Sequence, residues 1–333
     1  MTKKRITYYD FLKGLAIMGV VAIHTMIFNA APSTIAGCGL AAFRNLLGCC
    51  VPFFVAVSGF FLCNKNVNSK LAYKDFLVSR LRVIYLPMLV WGLPWLLLNL
   101  LHVQNFGALA YNVFMYFTGG LSILYFIALI IELYVQLPVI QLVNKRMVIC
   151  LAIFSISVTF GWSLVNYTTH LYMPLIVYCS FPTYIGYFAL GCFIGRSRLS
   201  PNMYMAVSTV TIGWVLSVLE SYYWLDFNPS SNWLGLKASV QMLAFGVISL
   251  LFTKTFTINY KSTRCTHIIE WVGSQSMPIY MSHMLLLFTL RLIGFAPSLW
   301  VTNWAVVFLL DVFFIFILTK ILPNRILPYL GIR

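Results

Sequence analysis

Apolar stretches about twenty residues long recur along the whole chain and are separated by short polar segments. As helices, stretches of this length cross the ~30 Å hydrocarbon core of a bilayer, because each residue adds about 1.5 Å. The pattern therefore predicts an all-α protein, a polytopic membrane helical bundle of about ten transmembrane helices. The predicted spans are 8–28, 44–63, 84–101, 121–142, 147–165, 181–195, 203–219, 236–253, 276–293 and 299–321.

The sixth and the first of these spans have features that bear on where the spans begin. The sixth, 181–195, is short and contains Gly186 and Gly191, and an earlier start after Pro174 stays open for it. The first lacks a small-residue cleavage site and is itself long enough to cross a bilayer. We therefore expect no cleavable signal peptide.

Composition places the chain among integral membrane proteins. Hydrophobic residues make up 61% of it and charged residues only 9%, a balance that the core of a water-soluble protein does not accommodate. Because little chain remains outside the spans, we expect one membrane-embedded domain over residues 1–333. The cysteines form no CxxC pair and no Cys/His spacing suited to zinc, so no metal is expected.

Positive charges are distributed unevenly between the two sides that the spans define. All but four of the 22 lysines and arginines fall in the terminal segments and in alternate loops. Short cytoplasmic loops retain such residues, so both termini are predicted to be cytoplasmic. The other four are Lys13, within the first span, and Arg44, Lys237 and Arg291 on the opposite side. The net charge of +15 is thereby explained as an orientation signal, and no nucleic-acid partner is expected.

The first span carries polar residues into an otherwise apolar helix. Lys13 and His24 lie eleven positions apart, which is about 16 Å along a helix and nearly three full turns, so both side chains fall on one face. Asp10 precedes Lys13 by three positions, the spacing at which helical side chains meet. A ligand that spans those depths would touch both ends of this face. The alternative is that Lys13 extends to the cytoplasmic surface with Asp10 as its neighbour.

His24 lies about two thirds of the way across the first span, too deep for a short imidazole to reach either surface. Histidine is the side chain whose ordinary pKa suits proton exchange near neutral pH, which makes it a candidate general base. A neutral histidine that is hydrogen-bonded to a neighbouring helix is the structural alternative. The residues alone leave both open.

Other polar side chains fall inside later spans. Glu132 and Asp311 are each candidates to orient His24 or to bind a substrate, and an interhelical hydrogen bond of purely structural value is the alternative for each.

The order of the motifs resembles the acyltransferase-3 family of integral membrane acyltransferases. Its amino-terminal signature is commonly an arginine, ten residues and a histidine, and here Lys13 and His24 stand at those positions. Lysine lacks the planar fork of arginine, so only the positive charge is carried over. Further motifs of the family are matched in order by Val51–Leu62, Phe76–Pro87, Leu124–Leu129 and Gly273–His283. The resemblance covers nearly the whole chain.

This resemblance implies transfer of an acyl group, usually acetyl from acetyl-CoA, to a hydroxyl of a carbohydrate acceptor. The acceptor is often a surface polysaccharide or its lipid-linked glycan precursor, so we expect a protein of the bacterial inner membrane, surrounded by membrane lipid. His24 is then the general base, helped by Lys13 and Asp10, or it takes the acyl group covalently and passes it on. Glu132 and Asp311 become candidates to bind the acceptor.

The acyl donor is an anion, so its phosphates need cations at the cytoplasmic surface. Lys13, Arg80 and Arg82 are candidates, although ordinary loop charge explains the two arginines equally well. Ser276 and Tyr280 precede His283 by seven and three positions on one helical face, and with it are expected to line the path of the acyl-CoA chain. The competing function is a transporter or flippase for a lipid-linked sugar or small metabolite, which also needs polar residues at mid-membrane.

Overall fold

The structure is a computed structural model that describes residues 7–26, 31–169, 179–197, 200–227 and 236–332. These residues are mainly helical, and no strand occurs among them. The first helices are α1 (Thr7–Thr25), α2 (Ile35–Leu47), α3 (Cys50–Leu62), α4 (Lys70–Leu100), α5 (Phe106–Thr118), α6 (Tyr125–Val135) and α7 (Leu137–Ile140). The later ones are α8 (Lys145–Thr169), α9 (Phe181–Ser197), α10 (Met203–Phe227), α11 (Ala238–Leu251), α12 (Lys254–Asn259), α13 (Arg264–Ser274), α14 (Ser276–Leu292), α15 (Trp300–Ile321) and a 3₁₀ turn, Leu327–Leu330.

The prediction of an all-helical membrane protein is confirmed, and every predicted span coincides with one of these helices or with a consecutive pair. For the sixth span, α9 begins at Phe181, and the alternative start after Pro174 lies outside the described residues. Within the described residues, five stretches are long and apolar enough to cross a membrane: Ile35–Leu62, Lys70–Leu100, Lys145–Asn166, Met203–Asp226 and Trp300–Ile321. The figure of about ten spans and the side on which the termini lie stay predictions.

Two helices depart from the sequence prediction. Helix α4 runs for 31 residues, about 46 Å, and so exceeds the ~30 Å hydrocarbon core. Its polar first turns were missed because they carry no apolar run, yet Ser69 caps them by accepting a hydrogen bond from the backbone N–H of Ala72 at 3.2 Å. Helix α5 is not among the predicted elements at all, because it is too short to register as a span.

Helix α1 is the central element of the bundle. It contacts α2, α3, α13, α14 and α15, and its side chains at Ile17 and Val21 are completely buried. Its carboxyl-terminal half is tied to α15 by two hydrogen bonds to its backbone carbonyls. Asn303 Nδ2 donates to the carbonyl of Thr25 at 2.8 Å, and Trp304 Nε1 donates to that of Met18 at 3.1 Å. Polar side chains on α1 are therefore held in fixed positions.

Glycines allow α1 and α13 to cross with their backbones in contact. A methyl group on Gly273 would overlap the carbonyl oxygen of Asp10, and one on Gly14 would overlap the carbonyl oxygen of Ile269. Small residues of this kind let membrane helices approach closely without side chains between them. The crossing fixes α13 against the turn of α1 that carries Asp10 and Lys13.

One span is broken in the middle. Helices α2 and α3 together form the candidate span Ile35–Leu62, but the chain leaves regular helix between Leu47 and Cys50. The break lies beside α1, where a methyl group on Gly19 would come within 2.5 Å of Cys50 Sγ. The sequence pattern predicted a single span from 44 to 63. It predicted neither the part of α2 that precedes residue 44 nor the break.

Several positively charged segments lie near the Asp10 end of α1, as contacts between helix ends and loops show. The ring of Tyr9 lies 5.5 Å from that of Phe61 at the end of α3, and Gln141 Nε2 donates to the carbonyl of Lys65 just beyond it at 2.9 Å. Arg196 at the end of α9 donates to the carbonyl of Gln141. These basic residues, which the sequence places on one side of the membrane, therefore lie at one end of the bundle.

Candidate active site

The polar residues of α1 lie at two levels. Asp10 and Lys13 lie near its amino-terminal end, and His24 precedes the last residue of the helix. The rise between Lys13 and His24 is about 16 Å. Any reaction that involves both residues therefore needs a substrate that extends along the helix.

Asp10 and Lys13 form the ion pair that their spacing predicts. Lys13 Nζ lies 2.6 Å from Asp10 Oδ1, and the Lys13 side chain is only 24% exposed. The short distance is that of a charge-assisted hydrogen bond. A lysine that extends freely into water would be more exposed, so the pair forms a fixed charged site against α13.

His24 meets His283 of α14 at the other level. Their ring centroids are 5.3 Å apart and the rings are tilted by 44°. His283 is fully buried, whereas His24 is partly exposed. The sequence analysis placed both residues near the path of the acyl group but did not predict that the two imidazoles would be in contact.

Hydrogen bonding fixes the orientation of His283. Its Nδ1 lies 3.0 Å from the backbone carbonyl of Ile279. A carbonyl only accepts hydrogen bonds, so Nδ1 carries the proton and Nε2 presents its lone pair. That Nε2 is buried and has no hydrogen-bond partner among the described residues. His283 therefore offers an oriented basic nitrogen beside His24.

The other two residues of the late motif lie before His283 on α14. Tyr280 lines the same region, with its ring 6.0 Å from that of His283 and 5.3 Å from that of Phe126. Its hydroxyl donates to the carbonyl of Ile123, which joins α14 to the turn before α6. Ser276 is partly exposed at the first position of α14, about 10 Å along the helix from His283.

Glu132 and Asp311 make contacts between helices. A carboxylate oxygen of Glu132 accepts from the backbone N–H of Phe181 at 2.8 Å, at the amino-terminal end of α9. Asp311 is completely buried and accepts from the Ser282 hydroxyl at 2.6 Å. Among the described hydrogen bonds, none joins either carboxylate to His24. Asp311 is thus connected to the histidine pair through the residue that precedes His283.

Arg80 and Arg82 occupy different environments on α4. The Arg80 guanidinium lies 5.7 Å from the centroid of the Phe76 ring, and its Nε is buried without a hydrogen-bond partner. Arg82 is exposed. No hydrogen bond or ring contact in the described ranges joins either arginine to α1, so the structure does not bring them into contact with Lys13.

Arg44 of α2 is a charged neighbour of His24 that the sequence analysis did not include in the site. Arg44 and His283 each act electrostatically on His24. Arg44 also faces Cys50 and Tyr125. The sequence offered one signal for Arg44, a cation at the edge of the second predicted span. The charge count treated it only as one of three basic residues predicted to lie on the side opposite the termini.

The described residues contain no group of three or more His, Cys, Asp or Glu side chains arranged to hold a metal ion. What they do contain is a membrane-embedded helical bundle with two imidazoles in contact at one level and an ion pair at the other. This arrangement defines a candidate site for group transfer within a membrane.

Comparison with known proteins agrees with this class. A family model described as an acyltransferase domain matches residues 6–321 of the 333. The chain therefore belongs to the acyltransferase-3 family, as its motifs indicate, and the family implies acyltransferase activity in an integral membrane protein. Neither a search of curated proteins nor a search of solved structures finds a match.

Proposed function

We propose that this protein transfers an acetyl group from cytoplasmic acetyl-CoA to a hydroxyl of a carbohydrate, either a surface polysaccharide or its lipid-linked precursor, in the bacterial inner membrane. The observation that carries the proposal is the contact between His24 and His283, at 5.3 Å between ring centroids. Proton transfer from an attacking hydroxyl needs a base whose lone pair is not already used. The unpartnered Nε2 of the buried His283, beside the partly exposed ring of His24, supports that role.

The donor is proposed to enter at the Asp10 end of α1. Its phosphates are anionic, and Lys13 and Arg80 are cations whose side chains are only partly exposed. The buried Nε of Arg80, without a hydrogen-bond partner, supports binding of an anion there, because a buried donor left without a partner costs about 1–3 kcal/mol. Arg82 adds charge at the surface. The thin pantetheine arm then extends along α1 and carries the thioester towards His24.

In the proposed acyl transfer, His24 of the histidine pair is the residue that moves the proton. His24 takes the proton from the acceptor hydroxyl, the oxygen attacks the thioester carbonyl, the carbon–sulfur bond breaks, and the CoA thiolate takes that proton from His24. The products are the ester and CoA with a free thiol. In the covalent variant, a nitrogen of His24 attacks the thioester carbonyl, the carbon–sulfur bond breaks, and CoA leaves with the imidazole proton. The acceptor hydroxyl then attacks the acyl-imidazole, the carbon–nitrogen bond breaks, and the hydroxyl proton returns to the imidazole.

The test is acetyl transfer by purified protein in detergent, with [¹⁴C]acetyl-CoA and a mixture of bacterial lipid-linked and surface glycans. The proposal predicts radioactive glycan and an equal amount of free CoA. A transporter would bind or move the glycan without releasing CoA, and that result would overturn the proposal. Rapid quenching then separates the two routes, because only the covalent route leaves label on the protein when acceptor is withheld.

A further inference from the structure

Arg44 lies at the level of the histidine pair. Gly19 of α1 lies against Cys50, the first residue of α3. His24 follows Gly19 by five positions, about 8 Å along α1. Because α3 ends near Phe61 beside Tyr9, the chain before Cys50 lies on the His24 side of this contact, and α2, which carries Arg44, packs against α1. The electrostatic effect of Arg44 on His24 agrees with this placement. A guanidinium therefore lies beside the proposed catalytic base, at the end of α1 opposite the Asp10–Lys13 pair.

Among the described residues, no acidic side chain forms a salt bridge with Arg44. Its side chain is only partly exposed, and its Nε is buried without a hydrogen-bond partner in the described part of the chain. The groups that act on it favourably are the Cys50 thiol and the Tyr125 hydroxyl. Withdrawing a cation from water without pairing it with an anion is costly, so such groups are normally paired.

One carboxylate in this part of the bundle already stabilises another helix. Glu220 of α10 acts electrostatically on Lys237, which is completely buried just before α11. The same carboxylate accepts from the backbone N–H of Ser239 at 2.8 Å and from Trp224 Nε1 at 3.1 Å. Glu220 thus stabilises the start of α11. Arg44 also acts electrostatically on Lys237, so two cations lie near each other in this part of the bundle.

We infer that Arg44 binds an anionic group of the acceptor, a carboxylate or a phosphate, and thereby presents the acceptor hydroxyl to His24. This inference rests on the proposed acyl transfer to a hydroxyl. The phosphates of the donor are assigned to Lys13, about 16 Å from His24 along α1, and to Arg80 on α4, so an anion at Arg44 belongs to the second substrate. Arginine suits the task because its planar guanidinium binds carboxylate and phosphate through two parallel hydrogen bonds.

Three sugars with the same kind of hexose ring distinguish recognition of a negative charge from recognition of the ring itself: glucose, glucuronate and glucose 1-phosphate. Binding to the purified full-length protein is measured as the rise in unfolding midpoint at about 10 mM sugar and constant ionic strength, since a ligand that binds only the folded state stabilises it. We expect glucuronate, glucose 1-phosphate or both to raise the unfolding midpoint of wild type more than glucose does. In Arg44→Gln, neither anion should raise the midpoint more than glucose. Whichever anion acts identifies the carboxylate or the phosphate as the recognised group.

Two further variants control the measurement. Arg44→Lys keeps the charge without the fork and should retain part of the stabilisation, which also covers the case that Arg44→Gln fails to fold. Arg291→Gln removes an exposed arginine near the end of α14 and should leave the stabilisation unchanged. The inference is overturned if neither anion stabilises wild type more than glucose, if the effect persists in Arg44→Gln, or if Arg291→Gln abolishes it equally. None of these results depends on acetyl transfer, so failure of the proposed function is seen separately, as absence of CoA release.

Discussion

His24 and His283 lie with their ring centroids 5.3 Å apart, although they belong to the first helix and to one of the last. The contact arises because α14 packs against α1 and because the Ile279 carbonyl holds the His283 ring in one orientation. Two imidazoles in contact, one with a free basic nitrogen, are suited to removing and returning a proton within an apolar bundle.

Replacing His283 tests whether the second imidazole takes part in the chemistry. We expect His283→Ala to lower kcat for acetyl transfer by about 10²-fold, the lower range for a group that assists proton transfer. The KM for acetyl-CoA should change little, because the donor phosphates bind at the other end of α1. A result in which KM rises and kcat is retained would assign His283 to donor binding instead. Thermal unfolding of the same variant shows whether the loss is structural.

Lys13 is expected to act on donor binding. Lys13→Gln should raise the KM for acetyl-CoA by about tenfold, equivalent to about 1.4 kcal/mol, while Lys13→Arg should keep most of the affinity. The matched control is Lys74→Gln, which removes an exposed lysine of α4. Steady-state kinetics with acetyl-CoA as the varied substrate measure the effect. Equal KM values for Lys13→Gln and the control would remove Lys13 from the donor site.

The glycine crossing of α1 and α13 predicts a loss of stability. Gly14→Ala places a methyl group against the backbone carbonyl of Ile269, which cannot rotate away as a side chain would. We expect a lower unfolding midpoint and a destabilisation of about 1–3 kcal/mol, as for other overpacked sites. Gly161→Ala is the control, since nothing lies near that position. If both variants unfold at the same temperature, the two helices do not cross as described.

The environment of Glu270 on α13 predicts that the stability of the protein depends on pH in the acidic range. Burial raises the pKa of this carboxyl, but hydrogen bonds from Ser262, Tyr260 and His267 outweigh burial and lower it overall. Tyr260 donates to Glu270 Oε1 at 2.7 Å. A lowered pKa in the folded state means that the stabilising contribution is complete above the ordinary carboxyl pKa of about 4.3 and is lost as the pH falls through the folded-state value.

The measurement is the unfolding midpoint between about pH 3 and pH 6. Wild type should lose stability on acidification more steeply than Glu270→Gln, which has no proton to gain. Glu220 and Glu132 are unchanged in both proteins, so their contributions cancel in the comparison. Parallel curves for the two proteins would show that the hydrogen bonds to Glu270 do not lower its pKa.

The sequence predicted how the polar residues of α1 are placed, because everything needed for that lies within one helix. The spacing of Asp10, Lys13 and His24 sets their relative depths and faces by helix geometry alone, and the ion pair at 2.6 Å confirms the local part of that prediction. The apolar runs predicted the helices for the same reason, since each is a local pattern.

Residues that are distant in the chain could not be placed in the same way. Arg44 approaches His24 through the packing of α2 against α1, and the break after α2 is not visible in the apolar run of the sequence. The pairing of His283 with His24 likewise depends on how α14 packs against α1. The sequence marked Arg44 as a cation and His283 as a motif residue, but their relation to His24 required the fold.

The most direct test of the central claim is CoA release from acetyl-CoA by purified protein with a glycan acceptor, compared between wild type and His24→Ala. His102→Ala serves as the control, because His102 is an exposed histidine just beyond α4. The account predicts acceptor-dependent release by wild type and His102→Ala, and a loss of about 10²–10⁴-fold for His24→Ala. Full turnover by His24→Ala, with its folding unchanged, would contradict the account.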